Sequence, residues 1–318
     1  KTLGYKIYSL QNKIKENIDS LSKEIGNLNI DSIFIEQNGK LDKIFYKDEQ
    51  LHELRSCSKV LVAMAIGIAI EDKMLVNGIP LSLDTKIFPS IKNLVKIKNK
   101  NNLLKIQTWT IKNLLTHTTG YESQMMSERY IEDIDKNELL DYALNYDIPF
   151  DVGTRFAYNN VEPFILSVFF QETFGINLKD YINEKIFKKL NIKEFEWDNY
   201  GKYCPAATGL YLKHSDFHKI GLLLLNNGRY DGKQIIPQNW IVEMTTTQLE
   251  TPSAYKPERV FPKIGVGYYT FISRDNYIFR DGSNGQYIIL NKDKNLLITM
   301  MAIEKDMKNV TEIFRNII

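Results

Sequence analysis

The chain has 318 residues, of which 43% are hydrophobic and 25% charged, with a formal net charge of +2. That composition belongs to a globular protein with a substantial core, in one large domain or two lobes, and excludes disordered and fibrous classes. So balanced a charge gives no electrostatic case for nucleic acid as a partner, and the lysine-rich residues 92–105 read as solvated surface able to attract anions locally.

Residues 5–25 place Ile7, Leu10, Ile14, Ile18 and Leu21 at helical spacing and predict an amphipathic N-terminal helix. The run DSIFIEQNGKLDKIFYK predicts two strands around the turn Asn38-Gly39. Next comes LRSCSKVLVAMAIGIAIED, in which Ser56 precedes Lys59 by three and residues 60–70 carry no polar side chain. That apolar run is shorter than the ~20 residues needed to cross a bilayer and reads as a buried core helix, with no membrane span. The middle of the chain, with KNELLDYALNY and VEPFILSVFFQETFG, is helical in pattern. LKHSDFHKIGLLLLNNGRYDG predicts a helix closed at Asn227-Gly228, and QNWIVEMTTT a shorter one. GVGYYTFIS, NYIFRD, GQYIILNK and NLLITMMAI then alternate with turn residues as in an antiparallel meander, and residues 305–318 read as a terminal helix. The expected fold is α/β (α+β): an antiparallel sheet flanked by helices, from residues 1–72 and 206–318, with an all-helical lobe of residues 73–205 inserted. A small-molecule site is expected in the cleft between them.

The spacing Ser-x-x-Lys occurs three times, at Ser20, Ser56 and Ser253. Ser20 falls on the polar flank of a surface helix and Ser253 in the proline-rich loop TPSAYKPERVFP, where nothing desolvates or orients the lysine. At Ser56 the start of a helix puts residues i and i+3 on one face, and the apolar run behind Lys59 disfavours its ammonium form, so Lys59 can act as a base. Free N–H groups and the positive dipole end at the same place favour an oxyanion. Equally, Ser56 or Ser58 can be simple helix caps. In GTRFAYNNVEPF, Tyr158 can carry a proton and Asn160 can bind both the lysine and an amide carbonyl. Tyr181 and Asn183 repeat that spacing inside a helix, where they read as packing residues.

Cys57 and Cys204 cannot form a disulfide framework or a zinc site. His214 and His218 stand four apart on an expected helix, a spacing that can hold a metal, but without a glutamate motif they read as a surface pair.

With both motifs in order, and with WTIKNLLTHTTGY and HSDFHKIGLLLLNNGRYDGKQIIPQNWI, the chain resembles the serine β-lactamase and penicillin-binding-protein superfamily over residues 30–305. The likeness is to the class C-like branch with its D,D-peptidase, esterase and 6-aminohexanoate-oligomer hydrolase members. It implies acyl transfer with Ser56 as nucleophile, Lys59 as base, Tyr158 as proton relay and Asn160 as a substrate contact, and no metal or organic cofactor. The third motif departs from the family's Lys or His, any residue, Gly. Here Arg280-Asp281-Gly282 stands in its place, with Gly282 and Ser283 beside the substrate and Ser283 as second oxyanion N–H. Arginine keeps the charge but does not shuttle protons near neutral pH. A plain hairpin turn with Arg280 at the surface is the other reading. The expected function is a serine hydrolase of peptide, amide or ester bonds, including D-amino-acid or cell-wall-type substrates. The alternatives are a true β-lactamase or a silent penicillin-binding or sensor module. Small-molecule or peptide substrates are the expected partners. An opening Lys1 suggests a missing leader or anchor and an extracytoplasmic or envelope location, with the cytoplasm as the alternative.

Overall fold

The structure is a computed structural model and describes residues 2–316. By its internal contacts the chain forms two compact units, residues 1–57 with 211–318, and residues 58–210. Of the expected N-terminal stripe, Ile7 lies outside the described side chains, and the last two residues of the expected terminal helix lie outside the described residues.

The first unit is built on an eight-stranded sheet. Helix α1 (Thr2–Ile25) buries Ile14 and Ile18 and leaves Ser20 and Lys23 in solvent, as its amphipathic pattern requires. Strands β1 (Ile30–Gln37) and β2 (Lys40–Phe45) form a hairpin whose turn residues Asn38 and Gly39 both have positive φ, the geometry that matches the twist of the flanking strands. In space the order runs Leu249–Glu250, Gly265–Val266, Phe271–Ile272, Ile278–Gly282, Gln286–Asn291, Leu296–Ala302, β1, β2, all antiparallel. The last strand of the meander thus pairs with the first strand of the chain and joins the two ends of the sequence. The two central strands Gln286–Asn291 and Leu296–Ala302 are buried at every position, which is why they read as continuous apolar runs.

Helix His214–Leu225 packs on those strands, and here the surface reading of its histidines is corrected. His214 and His218 are both buried. His214 stacks on Phe34, with ring centroids 3.7 Å apart, and its nitrogens share hydrogen bonds with Ser32 and Thr299. His218 is bonded to Thr299 and Glu36. Polar groups on one face of the sheet satisfy both rings, so the i, i+4 spacing serves packing. Among the described residues no group of three or more His, Cys, Asp and Glu is placed to hold a metal ion.

The second unit is mainly helical. Helix α2 (Ser58–Glu71) is buried from Ser58 through Ala69, and the helix Val161–Phe174 is buried through its first ten residues. Each is apolar on all sides, which places it inside the unit, where a fully buried aliphatic side chain contributes roughly 1.5–3 kcal/mol. They pack against each other and against Leu178–Ile182. In that last helix Tyr181 is buried, as its packing reading requires. No helix among the described residues is long and apolar enough to cross a membrane.

Candidate active site

In the helical unit the site is organised around Lys59. Its side chain is fully buried in the first turn of α2. The ammonium donates hydrogen bonds to Tyr158 Oη at 2.7 Å, Asn160 Oδ1 at 2.7 Å and the carbonyl of Ala207 at 3.1 Å. A buried ammonium is tolerated only with its donors satisfied, and these three oxygens are what this unit supplies. Both side chains expected from the second motif are therefore assembled on the lysine.

Tyr158 and Asn160 lie just before the helix Val161–Phe174, and Asn159 between them holds them there. Its Oδ1 accepts from the N–H of Val161 at 3.1 Å and of Met125 at 3.5 Å, while its Nδ2 donates to the carbonyl of Ser123 at 2.9 Å. The N–H of Asn160 donates to Gln124 Oε1 at 2.9 Å. Segment 123–126 is thereby fastened to the Tyr-Asn-Asn motif.

Beneath Tyr158 lies a polar cluster that sequence reasoning missed. Glu162 is 1% exposed, shares a 2.7 Å hydrogen bond with His117 Nδ1 and accepts from Thr119 Oγ1 at 2.6 Å. The His117 ring lies 5.3 Å from that of Tyr158, centroid to centroid. Burial pushes the Glu162 carboxyl up to about 8, against the pull of the Thr119 hydroxyl and of the Lys59 ammonium. Gly120 closes the same loop at φ +102°, where a Cβ would meet the Phe150 carbonyl oxygen at 2.4 Å, so no larger residue fits. The only sequence signal for the cluster was the polar run His-Thr-Thr-Gly in an otherwise apolar neighbourhood.

In the α/β unit, Ser56 occupies the short 3-10 turn Arg55–Cys57, which runs directly into α2. Arg55 has φ +50°, a left-handed conformation uncommon for a residue with a side chain and often found where a functional side chain must be aimed. Cys57 is buried, and its thiol reaches the carbonyls of Arg280 and Gln286 at 3.8 and 3.7 Å. Gly282 is the reason the turn and strand approach so closely: a Cβ there would lie 2.5 Å from the Leu54 carbonyl oxygen and 3.1 Å from Arg55 Cβ. The strand Ile278–Gly282 therefore runs beside the serine, where the third motif is expected.

Arg280, read alternatively as a surface residue, is 2% exposed. Its guanidinium lies 4.8 Å from the Phe271 ring centroid, donates from Nη1 to the Tyr269 carbonyl at 3.4 Å and stands 3.5 Å from Asp281 Oδ1. The hairpin reading of residues 282–286 holds alongside it: Gly282 pairs with Gln286, and Ser283 is exposed at the turn. The decoy at Ser253 sits in an exposed 3-10 turn, with Lys256 also in solvent.

An antiparallel sheet with a serine turn beside one strand, joined in sequence to a helical unit whose buried lysine is bonded to a tyrosine and an asparagine, defines a serine hydrolase of β-lactamase fold. The sequence profile of the Beta-lactamase family matches residues 39–313, and the chain belongs to that family. Among solved structures it is similar to EstCE1, a hydrolase with promiscuous acyltransferase activity, at 13% identity over 96% of this chain and 97% of that one, with a TM-score of 0.76. It is also similar to the octameric penicillin-binding protein homologue from Pyrococcus abyssi, at 18% identity over 96% and 76%, TM-score 0.73. A third is the class C beta lactamase from Rhodobacter sphaeroides, at 17% identity over 96% and 98%, TM-score 0.68. Among curated protein sequences none matches the chain.

Proposed function

We propose that the chain hydrolyses ester or amide bonds through an acyl-enzyme on Ser56. The observation that carries this reading is the fully buried Lys59 ammonium, 2.7 Å from both Tyr158 Oη and Asn160 Oδ1 and three residues after the serine. In this reading the reactive Lys59–Tyr158 pair holds one proton fewer than an ammonium and a phenol together, and it takes the serine proton as Oγ attacks the carbonyl carbon. Tyr158 then passes a proton to the departing amine or alcohol, and water attacks the acyl-serine with the same pair as base. The N–H groups of Ser56 and Ser283 are the proposed oxyanion donors. Asn160 orients the lysine and reaches the substrate carbonyl.

The surroundings of Arg280 support neutral esters and amides over β-lactams and carboxylate-bearing peptides. A guanidinium packed on Phe271, bonded to the Tyr269 carbonyl and beside Asp281 is engaged within the fold, so it is poorly placed to grip an incoming carboxylate by two hydrogen bonds. The decisive experiment is intact-mass analysis after a fluorophosphonate, comparing wild type with Ser56→Ala and Ser20→Ala. A single adduct that disappears only in Ser56→Ala is expected, and an adduct surviving in Ser56→Ala removes the assignment. Turnover of p-nitrophenyl esters and of a chromogenic cephalosporin then separates the substrate classes, with the ester expected to be the better substrate.

A further inference from the structure

A cavity of about 410 Å³ opens in the α/β unit between the loop of residues 252–263, the strands Ile278–Gly282 and Gln286–Asn291 and the helix Met307–Glu312. Successive side chains of a strand point to opposite faces. Phe279 and Asp281 line this cavity, whereas Gly282 faces the Ser56 turn, so the cavity lies across the strand from the serine.

Its lining pairs cations with rings. Lys256, Arg259 and Lys263 stand around Phe261, Phe279 and Tyr287. Among the described residues none of these three cationic side chains makes a salt bridge or a hydrogen bond. The carboxylate of the lining, Asp281, already has the Arg280 guanidinium 3.5 Å away. Two other arginines do the structural work of holding the loop. Arg274 Nη2 donates to the carbonyls of Pro257 and Arg259, both at 2.8 Å, and Arg315 Nη2 to that of Glu258 at 3.0 Å. The loop is therefore ordered without using the cations it presents. Lys263 rests its ammonium 4.2 Å from the Phe271 ring centroid, and burial pushes its pKa below the ordinary lysine range, more than Asp281 restores. A partly desolvated cation whose nearby carboxylate, Asp281, is shared with Arg280 is costly, and a bound anion offsets that cost.

We propose that this cavity binds a small organic anion, a carboxylate or phosphate head on a short aliphatic or aromatic body. The head sits against Arg259 and Lys263 and the body against Phe261, Phe279 and Tyr287. The volume lies in the range of small-molecule sites, and three apolar rings around two or three donors is the usual composition of one. The site is separate from the Ser56 chemistry, and its failure leaves that reading untouched.

The test is calorimetric titration of the full chain at low ionic strength with octanoate, phenyl phosphate, inorganic phosphate and octanol, repeated on Lys263→Met and Arg259→Gln. Saturable binding of octanoate or phenyl phosphate is expected, with no binding of octanol and about tenfold weaker binding in each variant, the loss of one charge-assisted contact. Lys263→Met is expected to melt no lower than wild type, which separates lost binding from lost folding. Whichever of octanoate and phenyl phosphate binds more tightly identifies the head group. The proposal is overturned by octanol binding as well as octanoate, by inorganic phosphate alone matching the organic anions, by affinities that neither variant changes, or by no saturable binding at all.

Discussion

Two tyrosines stand two residues before an asparagine in this chain, and the same substitution at each is expected to act with opposite sign. Tyr158 Oη accepts from the Lys59 ammonium at 2.7 Å. A hydrogen bond to a charged group contributes roughly 1.5–3 kcal/mol, and the cost of Tyr158→Phe falls near the lower end, because Tyr158 is only partly buried and Lys59 keeps Asn160 and Ala207 as acceptors. Tyr181 is its inverse: its hydroxyl is buried and, among the described residues, without a hydrogen-bond partner. Removing an unsatisfied buried hydroxyl relieves a desolvation cost, so Tyr181→Phe should stabilise by about 1 kcal/mol. At about 2 °C per kcal/mol for a chain of this size, the two variants should melt on either side of wild type, separated by roughly 5 °C. Function should part more widely. Loss of a positioned proton carrier costs about 10²–10⁴ in rate, so fluorophosphonate labelling of Tyr158→Phe should slow by about that factor while Tyr181→Phe labels normally. Thermal melts and the time course of the mass adduct read both quantities. Labelling of Tyr158→Phe at the wild-type rate would refute the reasoning, as would a Tyr181→Phe variant that labels slowly.

The geometry carries three further expectations. Gly282→Ala places a Cβ 2.5 Å from the Leu54 carbonyl oxygen, so the strand and the serine turn must move apart; a loss of about 1–3 kcal/mol in denaturant melts is expected, with labelling at Ser56 slowed at least tenfold. Glu162, whose carboxyl burial pushes up to about 8, binds a proton in the folded state through a range where the unfolded chain has released it. Stability relative to Glu162→Gln should therefore fall as pH rises from about 4.5 to 8, by an amount on the order of a few kcal/mol, measured as the difference between the two proteins' melts across that range. His214 has the opposite shift: burial first, then the nearby His218 and His52, hold it well below the ordinary histidine range, so the folded state resists a proton that the unfolded chain takes up. Its contribution is present above about 6.5 and is lost on acidification, and His214→Gln should flatten the acid side of the stability profile.

Much of this protein was legible in its residues because local chemistry decided it. The Asn38-Gly39 hairpin comes from a turn that demands two positive φ values, and the meander from apolar runs cut by turn residues. The burial of α2 and of Val161–Phe174 comes from helices with no polar side. The burial of Lys59, against the exposure of Lys23 and Lys256, was also local, since only Lys59 is followed by an apolar run that takes it out of water; the preference for Ser56 as nucleophile rests on that difference. What sequence could not reach depends on residues far apart in the chain meeting in space. His214 and His218 are polar by residue type, and their burial is decided by Ser32, Glu36 and Thr299 on two strands that come from opposite ends of the chain. For Arg280 the sequence leaves two readings, a third-motif cation and a surface residue of a hairpin, and its burial among Phe271, Tyr269 and Asp281 is visible only in the fold. The His117–Glu162 pair beneath Tyr158 exists only because the helix carrying Glu162 packs on the segment that carries His117, 45 positions away in sequence. Periodicity and turn chemistry report what a residue does to its own neighbourhood; partners for buried polar groups come from chain closure, and only the tertiary structure decides them.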